Sequence, residues 1–289
     1  MRCLKEMMEI YFVSLLQGDV GLKQVNDRRW VMINQIVHGD CLQVMKEIPD
    51  KSIDLILCDL PYGTTACKWD TIIPFEPLWK QYERIIKDNG AIVLFGSEPF
   101  SSQLRMSNIN RYKYDWIWLK SNKTGHLNAK HRPLKSHELI SVFSKAEARA
   151  KGVCMIYNPQ GLVEVNRKRK EIRYDNKTNH NYYRESRNNK EYIQRYANFP
   201  DSVLAFNRDK EISHPTQKPV ALFEYLIKTY TNEGEVVLDN CIGSGTTAIA
   251  SLNTGRYFIG IEKDEQYHKI ACERVANWHD EQGLFKVTS

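Results

Sequence analysis

Residues 235–262 read EVVLDNCIGSGTTAIASLNTGRYFIGIE, and this stretch decides the fold. The apolar run that ends at Asp239 predicts a strand, the glycine-rich segment 243–245 predicts a tight turn, and 246–253 has the pattern of a helix. A second apolar run at 257–261 predicts the next strand. A strand, a glycine turn, a helix and a strand in this order indicate two parallel strands joined by a helical crossover.

The turn in this stretch has the chemistry of a ligand loop. Gly243 and Gly245 let the backbone turn tightly and approach a ligand without a Cβ clash. The free N–H groups and the positive dipole end of the following helix, which begins at Thr246, face the same place. Glu262 follows the second strand, 19 residues after Gly243, where a carboxylate can accept both hydroxyls of a ribose. These residues predict a site for an adenosine-type cofactor.

The choice of cofactor depends on Asp239. The segment GSGTTA also fits the G-x-G-x-x-G/A dinucleotide fingerprint, so NAD or FAD stays open on the glycines alone. A carboxylate at the strand end repels a pyrophosphate but attracts an ammonium group. S-adenosyl-L-methionine carries an ammonium, a sulfonium and a ribose and has no phosphate, so Asp239 and Glu262 favour it.

Strand-like and helix-like segments alternate along most of the chain. The predicted strands are 35–38, 53–58, 91–95, 115–119, 138–143, 235–238 and 257–261, and the predicted helices are 42–48, 76–87, 219–230, 246–253 and 264–278. Several strands are continuously apolar, as in sheets covered on both faces. The alternation predicts an α/β Rossmann-like fold with a mostly parallel, doubly wound sheet. No convincing helix separates 115–119 from 138–143, so these two strands predict an antiparallel pair at the sheet edge.

Composition excludes several classes of protein. The chain has 289 residues, a formal net charge of +6 and seven cysteines without a C-x-x-C pair. This cysteine usage is typical of free thiols in a reducing cytoplasm and argues against a zinc site or a disulfide framework. No run of 18 apolar residues indicates a membrane span, and the first 30 residues lack the pattern of a signal peptide.

The stretch 58–63, CDLPYG, places a carboxylate, a proline and an aromatic ring after an apolar strand. Asp59-Leu60-Pro61-Tyr62 resembles the catalytic D-P-P-Y motif of the DNA methyltransferases that modify adenine N6 or cytosine N4. The segment 239–246, DNCIGSGT, is similar to the cofactor loop of that family, and 214–219, HPTQKP, is similar to a segment that precedes the loop. Along the chain the catalytic motif comes first, and an insertion, the HPTQKP segment and the cofactor loop follow. This order is that of the β class of the family and corresponds to a circular permutation.

The resemblance covers about 32–278 and implies a mechanism. Asp59 and the backbone carbonyl of Leu60 would accept the two N–H groups of a base amine and free its lone pair. Leu60 replaces the usual proline of the motif but retains this carbonyl, and Pro61 stiffens the turn. Tyr62 would stack on a base flipped out of the duplex. For Tyr62 core packing is the alternative, and for Asp59 a turn or a helix cap.

The resemblance also implies roles around the cofactor. Asp40 would accept a hydrogen bond from the amino group of the cofactor's adenine, or cap the helix that follows it. Lys218 would hold the cofactor carboxylate or lie on a helix surface. Cys241 is expected to be a small packing residue beside the cofactor, and Thr246 would bind the methionine carboxylate or cap its helix. Trp69 follows the catalytic motif closely in the sequence and is therefore expected to lie near the base pocket, with core packing as an equal alternative.

Two basic clusters predict contacts with DNA phosphates. Within the first, the candidates are Lys123, Lys130 and Arg132, and within the second they are Arg167, Arg169 and Arg173. The second cluster lies in a stretch rich in Asn, Arg, Lys and Tyr without clear periodicity, for which a solvated insertion is the alternative. By resemblance this insertion is the target-recognition region.

These observations predict five segments: an extension at 1–31 outside the fold, catalytic and cofactor-binding halves at 32–145 and 214–280, an inserted target-recognition region at 146–213, and a tail at 281–289. Codons for the arginines at 28 and 29 can form a ribosome-binding sequence before Met32, so Met32 is a candidate for the true start. The resemblance implies a bacterial or phage-encoded cytoplasmic enzyme.

The predicted activity is methylation of adenine N6 in double-stranded DNA, because Asp59 stands where cytosine-N4 enzymes of the family more often have serine. Cytosine-N4 methylation is the main alternative. A DNA-binding module without catalysis, an RNA or protein methyltransferase and an NAD-dependent enzyme are further alternatives. A homodimer and a companion restriction enzyme are left open, and no membrane or metal partner is expected.

Overall fold

A computed structural model describes residues 32–63, 70–146, 154–170, 173–174, 185–186, 191–209 and 217–281, and from 170 to 186 it describes the backbone alone. The strands are β1 Gln35–His38, β2 Ile53–Asp59, β3 Ile86–Gly96, β4 Tyr112–Thr124, β5 Lys135–Ser144, β6 Val163–Lys170, β7 Arg173–Tyr174, β8 Glu185–Ser186, β9 Glu191–Ala197, β10 Val203–Ala205, β11 Val236–Asp239 and β12 Tyr257–Glu262. The α-helices are α1 Cys41–Val44, α2 Phe75–Ile85, α3 Phe100–Ser107, α4 Val220–Tyr230, α5 Thr246–Asn253 and α6 Glu265–Glu281.

Eight of the described strands form one sheet in the order β1-β12-β11-β2-β3-β5-β4-β10. The pairs from β1 to β3 are parallel, β5 is antiparallel to both β3 and β4, and β10 is parallel to β4. Every strand of this sheet except β5 therefore points the same way. This confirms the predicted α/β fold with a mostly parallel sheet.

The predicted antiparallel pairing of 115–119 with 138–143 is confirmed by β4 and β5. The pair does not form the sheet edge, because Val203–Ala205 adds a parallel strand outside β4. That short strand belongs to the predicted insertion, so part of 146–213 completes the central sheet. A three-residue strand carries too few residues to show a periodicity in the sequence.

The sheet is buried on both faces, which explains the continuously apolar strands. Along β2, Ile56 and Cys58 pack with α1, α2 and α3 on one face, while Leu55 and Leu57 pack with α4 on the other. Leu55, Ile56 and Leu57 are fully buried, and each such aliphatic side chain contributes about 1.5–3 kcal/mol. The result is a three-layer arrangement that fixes where the strands end.

The predicted insertion contains a β-ribbon. Strands β6 and β9 form a two-stranded antiparallel sheet, and β7 pairs with β8 in a second one. The β6–β9 pairing shifts between Glu164 and Arg167, which places one extra residue in β6, a β-bulge. Asn166 adopts a positive φ of 46° there. The sequence did not predict these strands, because exposed polar ribbons lack an apolar alternation.

Candidate functional site

Four acidic side chains meet at one edge of the sheet. Asp59, Asp239 and Glu262 are the last residues of β2, β11 and β12, and Asp40 follows β1 after one glycine-containing turn. Because these four strands are parallel neighbours, their carboxyl ends lie side by side. Ligands of open α/β sheets bind outside the carboxyl ends of the strands. The structure therefore places the two predicted motifs next to each other.

Asp59 is held by two partners. Its Oδ1 accepts a 2.5 Å hydrogen bond from the hydroxyl of Tyr62, and its Oδ2 lies 2.6 Å from Nζ of Lys218. The side chain of Leu60 is buried in the core, and Gly63 N donates to Asp70 at 2.8 Å. The turn that carries Asp59 is thus fixed at its start by packing and at its end by a buried carboxylate.

Lys218 connects Asp59 to a second carboxylate. Its Nζ lies 3.2 Å from Glu138 Oε2, and the other oxygen of Glu138 accepts from Lys120 at 3.0 Å. Lys218 is 8% exposed. Burial acts to lower the pKa of Lys218, but the charges of Asp59 and Glu138 outweigh it and raise that pKa. Burial likewise acts to raise the pKa of Glu138, and the two lysines bring it below its ordinary value. Both shifts favour the charged forms of Lys218 and Glu138.

The segment before α4 links the turn that carries Asp59 to the glycine loop. Gln217 Oε1 accepts a 3.3 Å hydrogen bond from the Ser244 hydroxyl, while the next residue, Lys218, contacts Asp59. Gln217 also donates to Asp209, whose carboxylate accepts from the N–H of Val220 at the start of α4. Residues 214–216, the first part of the predicted HPTQKP motif, lie outside the described residues.

Asp239 is a buried carboxylate at the centre of the predicted cofactor site. Its Oδ1 accepts from Cys241 N at 3.1 Å, and its Oδ2 accepts a short hydrogen bond from the Thr247 hydroxyl. Burial raises the pKa of Asp239 to about 7, although these two hydrogen bonds lower it. A carboxylate so placed is stabilised by a cation, which fits the ammonium group of S-adenosyl-L-methionine.

The glycine loop is open on one side and tightly packed on the other. Gly243 has a φ of +55° with no atom within 4 Å of an added Cβ, and its N–H donates to Glu262 at 2.8 Å. Gly245 has a φ of +87°, and an added Cβ would lie 3.2 Å from the Cβ of Ala271 on α6. The backbone at Gly243 is therefore free to approach a ligand, while Gly245 permits close helix packing.

Three predicted cofactor residues have structural partners of their own. Asp40 caps α1 by accepting from Leu42 N at 3.0 Å, and its second oxygen lies 3.4 Å from Lys263 Nζ. Thr246 Oγ1 accepts from Arg274 at 3.3 Å. Lys218 is engaged by carboxylates of the protein, as described. Capping by Asp40 does not exclude a ligand contact, and the cofactor roles of these residues stay predictions.

Cys241 packs against the core beside two other thiols, those of Cys41 and Cys58. Burial raises the pKa of Cys58 to about 12. Hydrogen bonding to Cys241, together with burial, also raises the pKa of Cys41. These thiols are poor nucleophiles, which agrees with a packing role. Among the described residues, no group of three or more His, Cys, Asp or Glu side chains could hold a metal ion.

The predicted DNA-contacting residues lie on two exposed elements. Lys123, Lys130 and Arg132 are exposed on the hairpin between β4 and β5. Arg167 and Arg169 are exposed on the β6–β9 ribbon. Arg173 is in β7, and its side chain lies outside the described residues, as do Trp69 and residues 1–31. No described helix is both long and apolar enough to cross a membrane.

The sequence patterns assigned no individual role to three residues that organise the site. Glu138 belongs to the charged network through Lys218, and Gln217 contacts the glycine loop through Ser244. Tyr82 on α2 donates a 2.5 Å hydrogen bond to Asn240 Oδ1. Glu138 could have been found from the sequence, because it is a carboxylate that immediately precedes the apolar run of β5. Tyr82 lies on the apolar face of its helix and looks like an ordinary core residue.

Comparison with known proteins gives a consistent result. A family model for N6/N4 methyltransferases, described as DNA methylase, matches residues 53–273. The Type II methyltransferase M.BglII of Bacillus subtilis is 26% identical over 280 residues, which cover 88% of this chain and 72% of that protein.

Solved structures show the same fold. The M1.HpyAVI–SAM complex has a TM-score of 0.54 at 24% identity, and the match covers 83% of this chain and 98% of that one. The cytosine-N4-specific PvuII DNA methyltransferase has a TM-score of 0.59 at 14% identity, with coverages of 86% and 91%. A DNA modification methylase of Thermus thermophilus, TTHA0409, complexed with S-adenosyl-L-methionine, has a TM-score of 0.51 at 20% identity, with coverages of 84% and 94%.

Proposed function

The chain belongs to the N6/N4 DNA methylase family, and we propose that it methylates the exocyclic N6 amine of adenine in duplex DNA. The observation that carries this proposal is the position of Asp59. It ends β2 beside the cofactor loop, and Lys218 fixes one of its oxygens at 2.6 Å. An amine that enters there meets a carboxylate already oriented by the fold.

The methyl donor is S-adenosyl-L-methionine, which when bound supplies an electrophilic methyl group. The described residues fit it. Asp239 offers a buried carboxylate for the ammonium, and Glu262 offers one for the ribose hydroxyls. The open backbone at Gly243 allows close approach of a ligand. Cys241 and Thr246 border the same loop and complete the proposed cofactor site with Asp40.

The work of the protein's own residues is to position the amine. Asp59 and the Leu60 carbonyl accept its two N–H groups, which localises the lone pair on nitrogen. Orientation of this kind supplies a large part of the rate in reactions between two bound groups. Both Asp59 oxygens have partners in the structure, so the amine replaces the Tyr62 hydroxyl at Oδ1 while Lys218 retains Oδ2.

Release of its hydroxyl frees Tyr62 for a second role. Its ring lies against Phe100, with centroids 5.1 Å apart and planes at 30°. A base inside a duplex cannot reach Asp59, so the target base is flipped out of the stack. The face of Tyr62 opposite Phe100 then stacks on the flipped base, an interaction worth about 1–3 kcal/mol.

The β6–β9 ribbon supports duplex DNA as the substrate. Arg167, Gln194 and Arg169 share one face, because Arg167 pairs with Gln194 in register and Arg169 donates to Gln194 Oε1 at 2.9 Å. Tyr192 and Tyr196 are exposed on the opposite strand. A two-stranded ribbon fits the major groove, and cationic side chains bind its phosphates.

Adenine is favoured over cytosine by the carboxylate at position 59. The fold comparison does not separate the bases, since one structural relative is cytosine-N4-specific. The test is nucleoside mass spectrometry of duplex DNA incubated with the purified protein and labelled S-adenosyl-L-methionine. We expect labelled N6-methyladenine. Labelled N4-methylcytosine alone would change the proposed target base from adenine to cytosine. Label in RNA or protein but not in DNA would reject the proposal.

A further inference from the structure

The hairpin between β4 and β5 presents a leucine entirely to solvent. Leu127 is 100% exposed, and it is the middle residue of the 3₁₀ turn His126–Asn128. Gly125, with a φ of +93°, begins this turn. Single exposed apolar side chains are common on protein surfaces, so exposure alone assigns no role to Leu127. Its surroundings do.

The hairpin extends from the edge of the sheet that carries the candidate site. Strand β4 runs in the same direction as β2, so its end lies at the edge where Asp59 lies. The base of the hairpin is also joined to Asp59 by contacts: Lys120 to Glu138 at 3.0 Å, Glu138 to Lys218 at 3.2 Å, and Lys218 to Asp59 at 2.6 Å. Leu127 is seven residues beyond Lys120, a span of at most about 25 Å of extended chain.

The leucine lies in a stretch of the chain that is rich in basic residues. Between Lys120 and Glu138 the chain has no Asp or Glu. The basic side chains exposed within this stretch are Lys123, His126, Lys130, His131, Arg132 and His137. An apolar centre within a basic rim is complementary to a duplex, in which phosphates flank a stack of apolar base faces.

The loop is held in shape by its own backbone. Asn128 N donates to Gly125 O at 2.9 Å, and Arg132 N donates to Asn128 O at 3.0 Å. His126 Nε2 lies 3.1 Å from Lys123 O. A turn organised in the free protein loses less conformational entropy on binding than a disordered one.

We propose that Leu127 is a positioning residue that enters the base stack of the duplex and fills the space left by the flipped base. The basic rim binds the flanking phosphates, and the contacts through Glu138 and Lys218 fix the base of the hairpin relative to Asp59. Apolar side chains of DNA-binding proteins are known to insert between base steps of a duplex. The inference rests on the proposed DNA methylation and adds a residue that touches the DNA away from the reacting atoms.

The test compares Leu127→Ala with the matched control Met106→Ala, which shortens a side chain that is 71% exposed near the C-terminal end of α3. The substrates are two duplexes carrying the sequence that the wild-type protein methylates in cells. One has a paired target base, and the other has the same base in a mispair, which is easier to unstack. The measurements are kcat/KM on these duplexes and, on separate matching duplexes in which 2-aminopurine replaces the target adenine, the fluorescence of 2-aminopurine.

On the paired duplex we expect Leu127→Ala to lower kcat/KM about tenfold and to reduce the fluorescence increase on binding. On the mispaired duplex the loss should shrink to about twofold, because less stacking has to be replaced. Leu127→Met should retain activity on both duplexes, and Met106→Ala should match the wild type.

Three results would overturn the proposal. In the first, Leu127→Ala matches Met106→Ala on the paired duplex. In the second, its loss is equal on both duplexes, which would indicate a contact unrelated to flipping. In the third, Leu127→Ala changes only the sedimentation mass, which would assign the leucine to contact with a second copy of the chain. Absence of methyl transfer to DNA by the wild type would instead reject the proposed function, and with it the proposed role of Leu127.

Discussion

The carboxyl edge of the sheet and the β6–β9 ribbon handle charge in opposite ways. At the edge, the buried Lys218 pairs with both Asp59 and Glu138, at 2.6 Å and 3.2 Å. On the ribbon, Arg167 and Arg169 are exposed, and no ion pair is shown for either among the described residues. Paired, buried charges fix geometry, whereas exposed charges attract a polyanion without fixing it. The comparison predicts that changes at the edge affect chemistry and changes on the ribbon affect binding.

The largest effect should come from Asp59→Ala. We expect kcat to fall by about 10²–10⁴-fold, the range for a positioned group that acts on the reacting atoms. Cofactor affinity measured by calorimetry should stay within about threefold, because Glu138 still pairs with Lys218. The matched control is Asp88→Ala, which removes an exposed carboxylate paired with Lys51 and should leave both quantities unchanged. A full-activity Asp59→Ala would end the claim that this edge performs the chemistry.

The next effect concerns Asp239 and pH. Burial raises its pKa to about 7, so the carboxylate charge is lost as the pH falls through 7. Affinity for S-adenosyl-L-methionine should therefore weaken between pH 7.5 and pH 5.5. Asp239→Asn should bind about 10–100-fold more weakly at pH 7.5 and lose this pH dependence, as calorimetry at several pH values would show.

A folding control separates this effect from damage to the protein. Because the fold favours the neutral form of Asp239, its contribution to the free energy of unfolding decreases as the pH rises from about 4 to 7. Asp239→Asn should consequently melt no lower than the wild type at pH 8. A strongly lowered melting temperature there would show that Asp239 serves packing, and the cofactor assignment would fail.

A smaller effect should separate the two roles of Tyr62. Tyr62→Phe keeps the ring and loses only the hydrogen bond to Asp59, so kcat/KM should stay within about threefold. Tyr62→Ala loses the stacking face, and kcat/KM should fall about tenfold. Steady-state kinetics on one duplex decide between them. Equal losses in both variants would mean that the hydroxyl, not the ring, is the functional part.

The smallest effect on the reaction should come from the ribbon. Arg167→Ala and Arg169→Ala should each weaken duplex binding several-fold and reduce the slope of log affinity against log salt by about 1. Turnover at saturating DNA should change less than twofold. Lys269→Ala removes an exposed lysine on α6 and serves as the control for loss of a surface charge. A change in turnover without a change in salt slope would contradict the division between edge and ribbon.

The sequence predicts the sheet well because burial leaves a readable pattern. The runs of β2, β3, β11 and β12 are apolar on both faces, and the turn 243–245 needs glycine for its backbone angles. Asp59 and Asp239 follow such runs, so the strands themselves locate the site. These predictions depend on short segments, in which a residue and its neighbours carry the information.

Other features depend on contacts between distant segments, and the sequence did not predict them. The pairing of Lys218 with both Asp59 and Glu138 joins three parts of the chain, so no local pattern specifies it. Strand β10 has three residues and exists because β4 offers a free edge. The ribbon strands carry polar side chains on both faces, and their pairing comes from backbone hydrogen bonds that composition does not reveal.

We propose above that the protein methylates a base amine in DNA at the sheet edge where Asp59 lies. Methylation-aware sequencing of DNA from a host without its own methylases, expressing either the wild type or Asp59→Ala, tests it most directly. We expect N6-methyladenine at one recurring sequence with the wild type and none with Asp59→Ala. Unmodified DNA with the wild type, or the same modification with Asp59→Ala, would contradict it.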